Sequence, residues 1–150
     1  MKYKILILLA SLLLSYDTII NAQHRNMVWC FGDSAGIDFN NGEVAITSSM
    51  NGRGSCVSIS DKMGSLLFYA ASSVVSFALY PNLTTVFDST HSMMLNGDSI
   101  RGLNWYKELV LVPMPDDSMK YYLFSAGVTS GPGFSYSIVD MNQNGGLGEV

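Results

Sequence analysis

From Met27 onward, short apolar or aromatic runs alternate with clusters of Gly, Asn, Asp, Ser and Pro. Runs of about four to eight residues bounded in this way predict strands joined by turns, and no stretch repeats its apolar residues at helical spacing. The clearest unit runs from Ser55 to Ala70: Cys56-Val57-Ser58-Ile59-Ser60 leads through Asp61-Lys62-Met63-Gly64 to Leu66-Leu67-Phe68-Tyr69. This predicts a hairpin in which Gly64 supplies the positive φ of a tight turn. A second unit leads from Leu109-Val110-Leu111-Val112 through Pro113-Met114-Pro115-Asp116-Asp117-Ser118 to Tyr121-Tyr122-Leu123-Phe124. Thr84 to Phe87 carries a further β signal, and Asn96-Gly97-Asp98-Ser99 predicts a turn. Gly133 to Asp140, where Phe134, Tyr136 and Ile138 alternate with Ser135, Ser137 and Val139, predicts a half-buried strand. Ala71 to Leu83 is small, apolar and serine-rich, and periodicity alone leaves strand and loop both open.

The two returning aromatic strands are related by a shift of 55, which matches Phe68 to Leu123 and Tyr69 to Phe124. A period of about 40 to 50 residues with several short strands in each copy is the mark of propeller blades. The expected fold is therefore all-β, a partial β-propeller of about two antiparallel blades over residues 23–150. A β-sandwich would produce the same hairpins and stands as the alternative.

The first 22 residues change the picture of location rather than of fold. Lys2 and Lys4 precede an apolar run from Ile5 to Leu14, and a polar stretch ends in Asn21-Ala22-Gln23, which predicts a helical export signal cleaved after Ala22. The run is about half of the roughly 20 residues that a membrane span requires, so no span is expected after its removal, and the product is expected outside the cell or on its surface. Loss of residues 1–22 leaves 6 basic against 11 acidic side chains, a net charge of −5. Arg25, Arg53, Lys62, Arg101, Lys107 and Lys120 are scattered singly, whereas nucleic-acid binding needs clustered cations to displace counterions from phosphates. That class is set aside. Cys30 and Cys56 lie 26 apart, with only 2 histidines in the chain, so no zinc spacing exists. In an oxidising compartment they are candidates for a disulfide, with two buried free thiols as the alternative.

Several motifs together resemble a family. They are Trp29, Phe31-Gly32, Ala35-Gly36-Ile37-Asp38-Phe39, Ser55 to Asp61, Gly64 with Leu66 to Tyr69, His91 with Asn96 to Ser99, Trp105-Tyr106 with Glu108-Leu109, Val112-Pro113, Tyr121 to Phe124, and Tyr136 to Met141 running into Asn144 to Gly148. In this order they resemble the N-terminal propeller-like region of secreted or cell-surface proteins of bacteria that use type IX secretion, the gliding-motility-associated or sorting-domain-containing proteins. The resemblance implies export, further blades after Val150, a C-terminal sorting domain, and a non-enzymatic role in adhesion, ligand binding or structure. Two departures stand out. Cys30 occupies a position where the family usually has an aromatic residue, so no disulfide is inherited from it, and Ala71 to Leu83 replaces a shorter turn.

Three chemistries remain to be weighed. Phe31-Gly32-Asp33-Ser34 after a strand, with Asp88-Ser89-Thr90-His91 later, looks like the blocks of a GDSL esterase that would use Ser34, Asp88 and His91. That fold alternates strands with helices around a parallel sheet, which the hairpins between Ser34 and Asp88 do not supply, so no catalytic residue is expected. Asp140-Met141-Asn142-Gln143-Asn144-Gly145 has the oxygen spacing of a calcium loop, but carries a single charged ligand and reads as a Gly/Asn turn; no metal or cofactor is expected. Trp29, Trp105, Tyr106, Tyr121, Tyr122 and Tyr136 are candidates for stacking on a glycan or a protein ligand, against the simpler role of filling faces between sheets. The nine methionines read as core filler.

Overall fold

The computed structural model describes residues 24–52, 54–72, 83–98, 100–101, 109–126 and 133–150. The expected export signal, most of Ala71 to Leu83, Ser99, Trp105 and Tyr106 lie outside them. The described residues are all-β, with two short 3-10 turns at His24–Asn26 and Asn144–Gly146. None of their helices is long and apolar enough to cross a membrane. Three antiparallel sheets follow one another along the chain. The first holds β1 (Val28–Phe31), β2 (Asp33–Asp38) and β3 (Val44–Asn51). The second holds β4 (Cys56–Ser60), β5 (Leu66–Ser72), β6 (Leu83–Asp88) and β7 (Ile100–Arg101), and the third β8 (Leu109–Met114), β9 (Asp117–Ala126) and β10 (Phe134–Asp140). Strands are adjacent in chain order, and no sheet closes on itself.

The second sheet is the middle layer. On one side Phe68, Ala70, Ile59 and Val86 pack with Leu109, Tyr121, Leu123 and Val139 of the third sheet. On the other, Tyr69 and Ala71 pack with Val28, Cys30 and Met50 of the first. This explains why Leu66 to Ala71 reads as an unbroken apolar run: a strand covered on both faces has no polar side. The β9 strand alternates instead, with Tyr121, Leu123 and Ser125 buried and Tyr122 and Phe124 only half-buried on the far side.

A bulge shifts the repeat that the sequence displays. The ladder pairs Ile59 with Phe68 but Ser60 with Leu66, which leaves Leu67 unpaired, and Leu67 then joins Phe68 on the side of the third sheet. Beyond this point a shift of 55 relates residues that face opposite ways: Phe68 points toward the third sheet, and Leu123 points back toward the second. One residue of slip exchanges the faces of a strand, so a shift of 55 no longer matches residues of like facing after the bulge.

The expectation of about two blades is corrected to three sheets. After β1 the chain turns through Gly32 (φ 60°) and Ser34 (φ 57°) and returns as β2, antiparallel to β1. Asp33 to Asp38 lacks apolar alternation because Gly36 lies pressed between its neighbours. A Cβ there would come within 2.6 Å of the Trp29 carbonyl oxygen and 2.9 Å of the Ile46 side chain.

The sheets are tied together by polar contacts at their margins. The free edge of β1 is met by β4 hydroxyls: the Val28 N–H donates to Ser60 Oγ (3.2 Å), the Cys30 N–H to Ser58 Oγ (3.3 Å), and Ser58 Oγ donates to the Val28 carbonyl (3.0 Å). A strand edge otherwise open to another chain is thereby occupied. Between the second and third sheets, Glu149 bridges Leu95 and Asp140. The Val150 N–H donates to the Leu95 carbonyl (3.0 Å), and Asn96 Nδ2 donates to Glu149 Oε1 (2.8 Å). Arg25 Nη1 also donates to Tyr121 Oη at 2.9 Å.

Among the described residues, none covers the outer face of the third sheet in this way. Register places Val110 beside Phe124 and Phe124 beside Tyr136, with Val112 beside Tyr122 and Tyr122 beside Ile138. Phe134 is 70 % and Tyr136 60 % exposed. The alternation read in Gly133 to Asp140 is therefore real, but its aromatic side faces outward and Ser135, Ser137 and Val139 face the core side. Of the methionines, Met50, Met94 and Met141 are buried, whereas Met63, Met93 and Met119 are exposed.

Gly64 sits at φ 95°, its carbonyl accepts a hydrogen bond from Asn40 Nδ2 (2.9 Å), and an added Cβ would run into the Asn40 side chain. Gly64→Ala is expected to cost about 2 kcal/mol, from left-handed backbone strain together with the lost approach of Asn40. Urea unfolding would read this as a lower midpoint at unchanged slope; a loss below about 0.5 kcal/mol, the size of an ordinary surface substitution, would contradict it.

Candidate functional site

Aspartate side chains close turns next to five of the strands. Asp38, Asp61, Asp88, Asp117 and Asp140 each accept the backbone N–H two residues on, at 2.8 to 3.0 Å, the local bonding that makes aspartate a turn residue. Two of these loops share one design. In Asp61–Ser65 and in Asp88–Ser92 the carboxylate Oδ1 also accepts the N–H four residues on. The N–H of the first residue donates to the carbonyl of the fifth, and the fourth N–H donates to the first carbonyl. The fourth position is left-handed in both, filled by Gly64 in one and by His91 (φ 66°) in the other.

A histidine there, where glycine is the least strained choice, carries its ring to a definite place. His91 Nδ1 lies 3.1 Å from Tyr69 Oη, which accepts the Ser49 N–H at 2.9 Å. The Tyr69 ring stacks on Phe87, with centroids 5.1 Å apart. Burial pushes the Tyr69 phenol above its ordinary value, against the opposing pull of the Ser49 N–H.

Around His91 the turns at residues 38–42, 61–65 and 88–92 border a cleft of about 470 Å³. Asp38, Asn40, Asn41, Ser89 and His91 give it polar walls, with Val28, Ile46 and Leu66 among its apolar lining. Amide, hydroxyl and imidazole groups over a small apolar floor suit a polar ligand held by hydrogen bonds. A second cleft of about 640 Å³ lies beside β10, lined by Asn96, Ile100, Tyr136 and Val150 among others.

The residues of the esterase reading are not assembled as a triad. Among the described residues no hydrogen bond joins Ser34 to His91. The Asp88 carboxylate is 2.8 Å from the Thr90 N–H and 2.6 Å from Thr90 Oγ1, and so holds its own loop, while the partner of the His91 ring is a tyrosine. Asp140, first residue of the calcium-like spacing, accepts from the Asn142 N–H (3.0 Å) and Asn142 Nδ2 (2.9 Å), and pairs with Lys120 Nζ at 3.3 Å. The Asn142 N–H leads the contacts that hold its carboxyl below the ordinary range. The one charged oxygen donor of that spacing is thus already paired with a lysine, and among the described residues no three His, Cys, Asp or Glu side chains cluster as metal ligands.

Of the aromatic candidates, Trp29 is half-exposed and packs edge-on against Phe39, and Tyr121 is buried against Phe68. Tyr122, Phe124, Phe134 and Tyr136 form one group. Phe134 lies nearly parallel to Phe124 at 5.4 Å, and Tyr122 to Phe124 at 5.6 Å. Tyr136 instead meets Tyr122 edge-on and Phe124 at a tilt. Sequence reading missed the Tyr69–His91 contact. Its signal was the shared outline of Asp61-Lys62-Met63-Gly64-Ser65 and Asp88-Ser89-Thr90-His91-Ser92.

Cys30, 3 % exposed, has its thiol pushed up to about 11 from 9.0 by burial, with the nearby Cys56 adding to the effect. The fold tolerates the neutral thiol and disfavours the thiolate. In the reduced protein this stabilising term is intact below pH 9 and lost as pH rises toward about 11. The loss is expected to reach about 2 kcal/mol, measured as the alkaline fall in unfolding free energy of the wild type relative to Cys30→Ala. An identical alkaline slope in the two proteins would refute it. Compared with family models, curated proteins and solved structures, the chain matches none.

Proposed function

We propose that the chain is an exported, non-enzymatic segment of a β-propeller, serving adhesion, ligand binding or surface structure, with its three sheets as successive blades. The observation that carries this reading is the unequal covering of the sheets. The middle sheet has a sheet against each face, as radial packing requires, while the third presents an apolar, aromatic outer face. Chain order supports it: each sheet is a meander of neighbouring strands, and the first strands of consecutive sheets, β1 and β4, meet. The N-terminal leader and the resemblance to type IX secreted proteins support export to the outer surface. On this reading the third sheet is covered by a further blade of the same protein, and a protein or glycan ligand binds at the turns that border the His91 cleft.

The test is the association state of residues 23–150. An apolar face of this kind is expected to draw two copies together, giving concentration-dependent sedimentation at micromolar protein. A monodisperse, cooperatively melting monomer would count against the reading.

A further inference from the structure

We infer that Cys30 and Cys56 form an intramolecular disulfide that fastens the first sheet to the second. The inference does not depend on the propeller reading, because both sheets and their joint are described directly. Three hydrogen bonds fix how β1 lies along β4: Val28 meets Ser60, and Cys30 meets Ser58. Continuing this antiparallel progression brings Gly32 beside Cys56, and the Gly32 N–H is indeed a hydrogen-bond partner of the Cys56 thiol. Cys56 and Ser58 are two apart on β4 and so share a face, the face onto which Cys30 packs. Both sulfurs enter one apolar cluster with Met50, Tyr69 and Ala71. The two thiols lie near enough for a charge on one to be felt by the other. In this structure both are free, Cys30 buried and Cys56 partly exposed.

The difference in exposure sets the order of the chemistry. Cys56, the accessible thiol, attacks a disulfide oxidant such as oxidised glutathione as its thiolate, forming a mixed disulfide and releasing one reduced glutathione. Cys30 then attacks the Cys56 sulfur and expels the second glutathione. The two electrons leave with the two glutathione molecules, which also take up the two thiol protons, and one S–S bond is gained as one is broken. The link joins residues 26 apart in the chain and closes a loop that contains β2 and β3, so two strands of the first sheet are held within it and the third, β1, carries one end of the bond. The entropy removed from the unfolded chain is that of a loop of moderate size.

The test uses the full chain treated with oxidised glutathione, or with a phosphine reductant, then denatured and alkylated with a mass tag. Two tags are expected after reduction and none after oxidation, with protease digestion of the oxidised chain yielding one linked peptide pair that contains Cys30 and Cys56. The oxidised chain is expected to melt about 10 °C above the reduced one, a difference that should vanish in the Cys30→Ala/Cys56→Ala variant. Two taggable thiols after oxidation would overturn the inference, and so would glutathione adducts alone or disulfide-linked dimers alone. Equal melting temperatures of the oxidised and reduced wild type would overturn the fastening role. This last comparison needs no variant to fold.

Discussion

Phe68→Ala is expected to destabilise the protein by about 4 kcal/mol, a large share of the roughly 5 to 15 kcal/mol that holds a domain folded. Phe68 is fully buried and meets the Tyr121 ring edge-on, with centroids 5.3 Å apart, so truncation opens a void where the second and third sheets join. The void is bounded by two β-ladders whose hydrogen bonds resist collapse, which places the cost toward the upper part of the range for such truncations. Phe124→Ala provides the comparison. It sits on a central strand of the same kind but on the far, half-buried side, and its loss is expected to cost about 1 kcal/mol. Urea unfolding of the two variants measures the contrast. Equal effects would mean that the sheets do not pack through Phe68.

Phe134→Ser/Tyr136→Ser is expected to abolish self-association while leaving the fold in place. At about 25 cal/mol per Å² of apolar surface, two aromatic side chains of 150 to 250 Å² each, already more than half exposed, withhold several kcal/mol from any partner that covers them. Even half of that, lost on substitution, weakens association by about a hundredfold. Both residues lie on an edge strand outside the buried clusters, so stability is expected to change by little more than about 0.5 kcal/mol per residue. Sedimentation equilibrium of wild type and variant separates the outcomes. A wild-type dimer that persists unchanged in the variant would show that copies meet elsewhere.

Much of the architecture was legible in the chain, and the failures have physical causes. The hairpin from Cys56 to Tyr69 was readable because Asp61 and Gly64 announce its turn and β-branched or aromatic residues fill its arms. Its double burial was visible as the unbroken run Leu66 to Ala71. The first sheet was hidden by Gly36, which leaves room for the Trp29 carbonyl and the Ile46 side chain and so contributes no apolar beat to β2. The repeat of 55 was misleading at Phe68 because a bulge at Leu67 leaves no mark in composition. Alternation in β10 gave the period, but periodicity carries no sign. Whether Phe134 and Tyr136 or Ser135 and Ser137 face the core depends on what lies on either side, which the sequence does not state. Of the candidate site, His91 was noticed for a catalytic pattern, whereas its observed place comes from a loop geometry that it shares with Asp61 to Ser65.

That shared geometry makes residues 88–92 an exchangeable part. Writing Asp-Lys-Met-Gly-Ser into this stretch would reproduce the same five-residue bonding and relieve the left-handed strain at the fourth position, yet erase the imidazole from the mouth of the cleft. Conversely, other side chains at residue 91 would be presented from a frame already built by Asp88 and Ser92. The molecule thus holds a natural grafting socket, in which the identity of one residue can be varied to change the side chain at the rim of the cleft while the loop frame is kept.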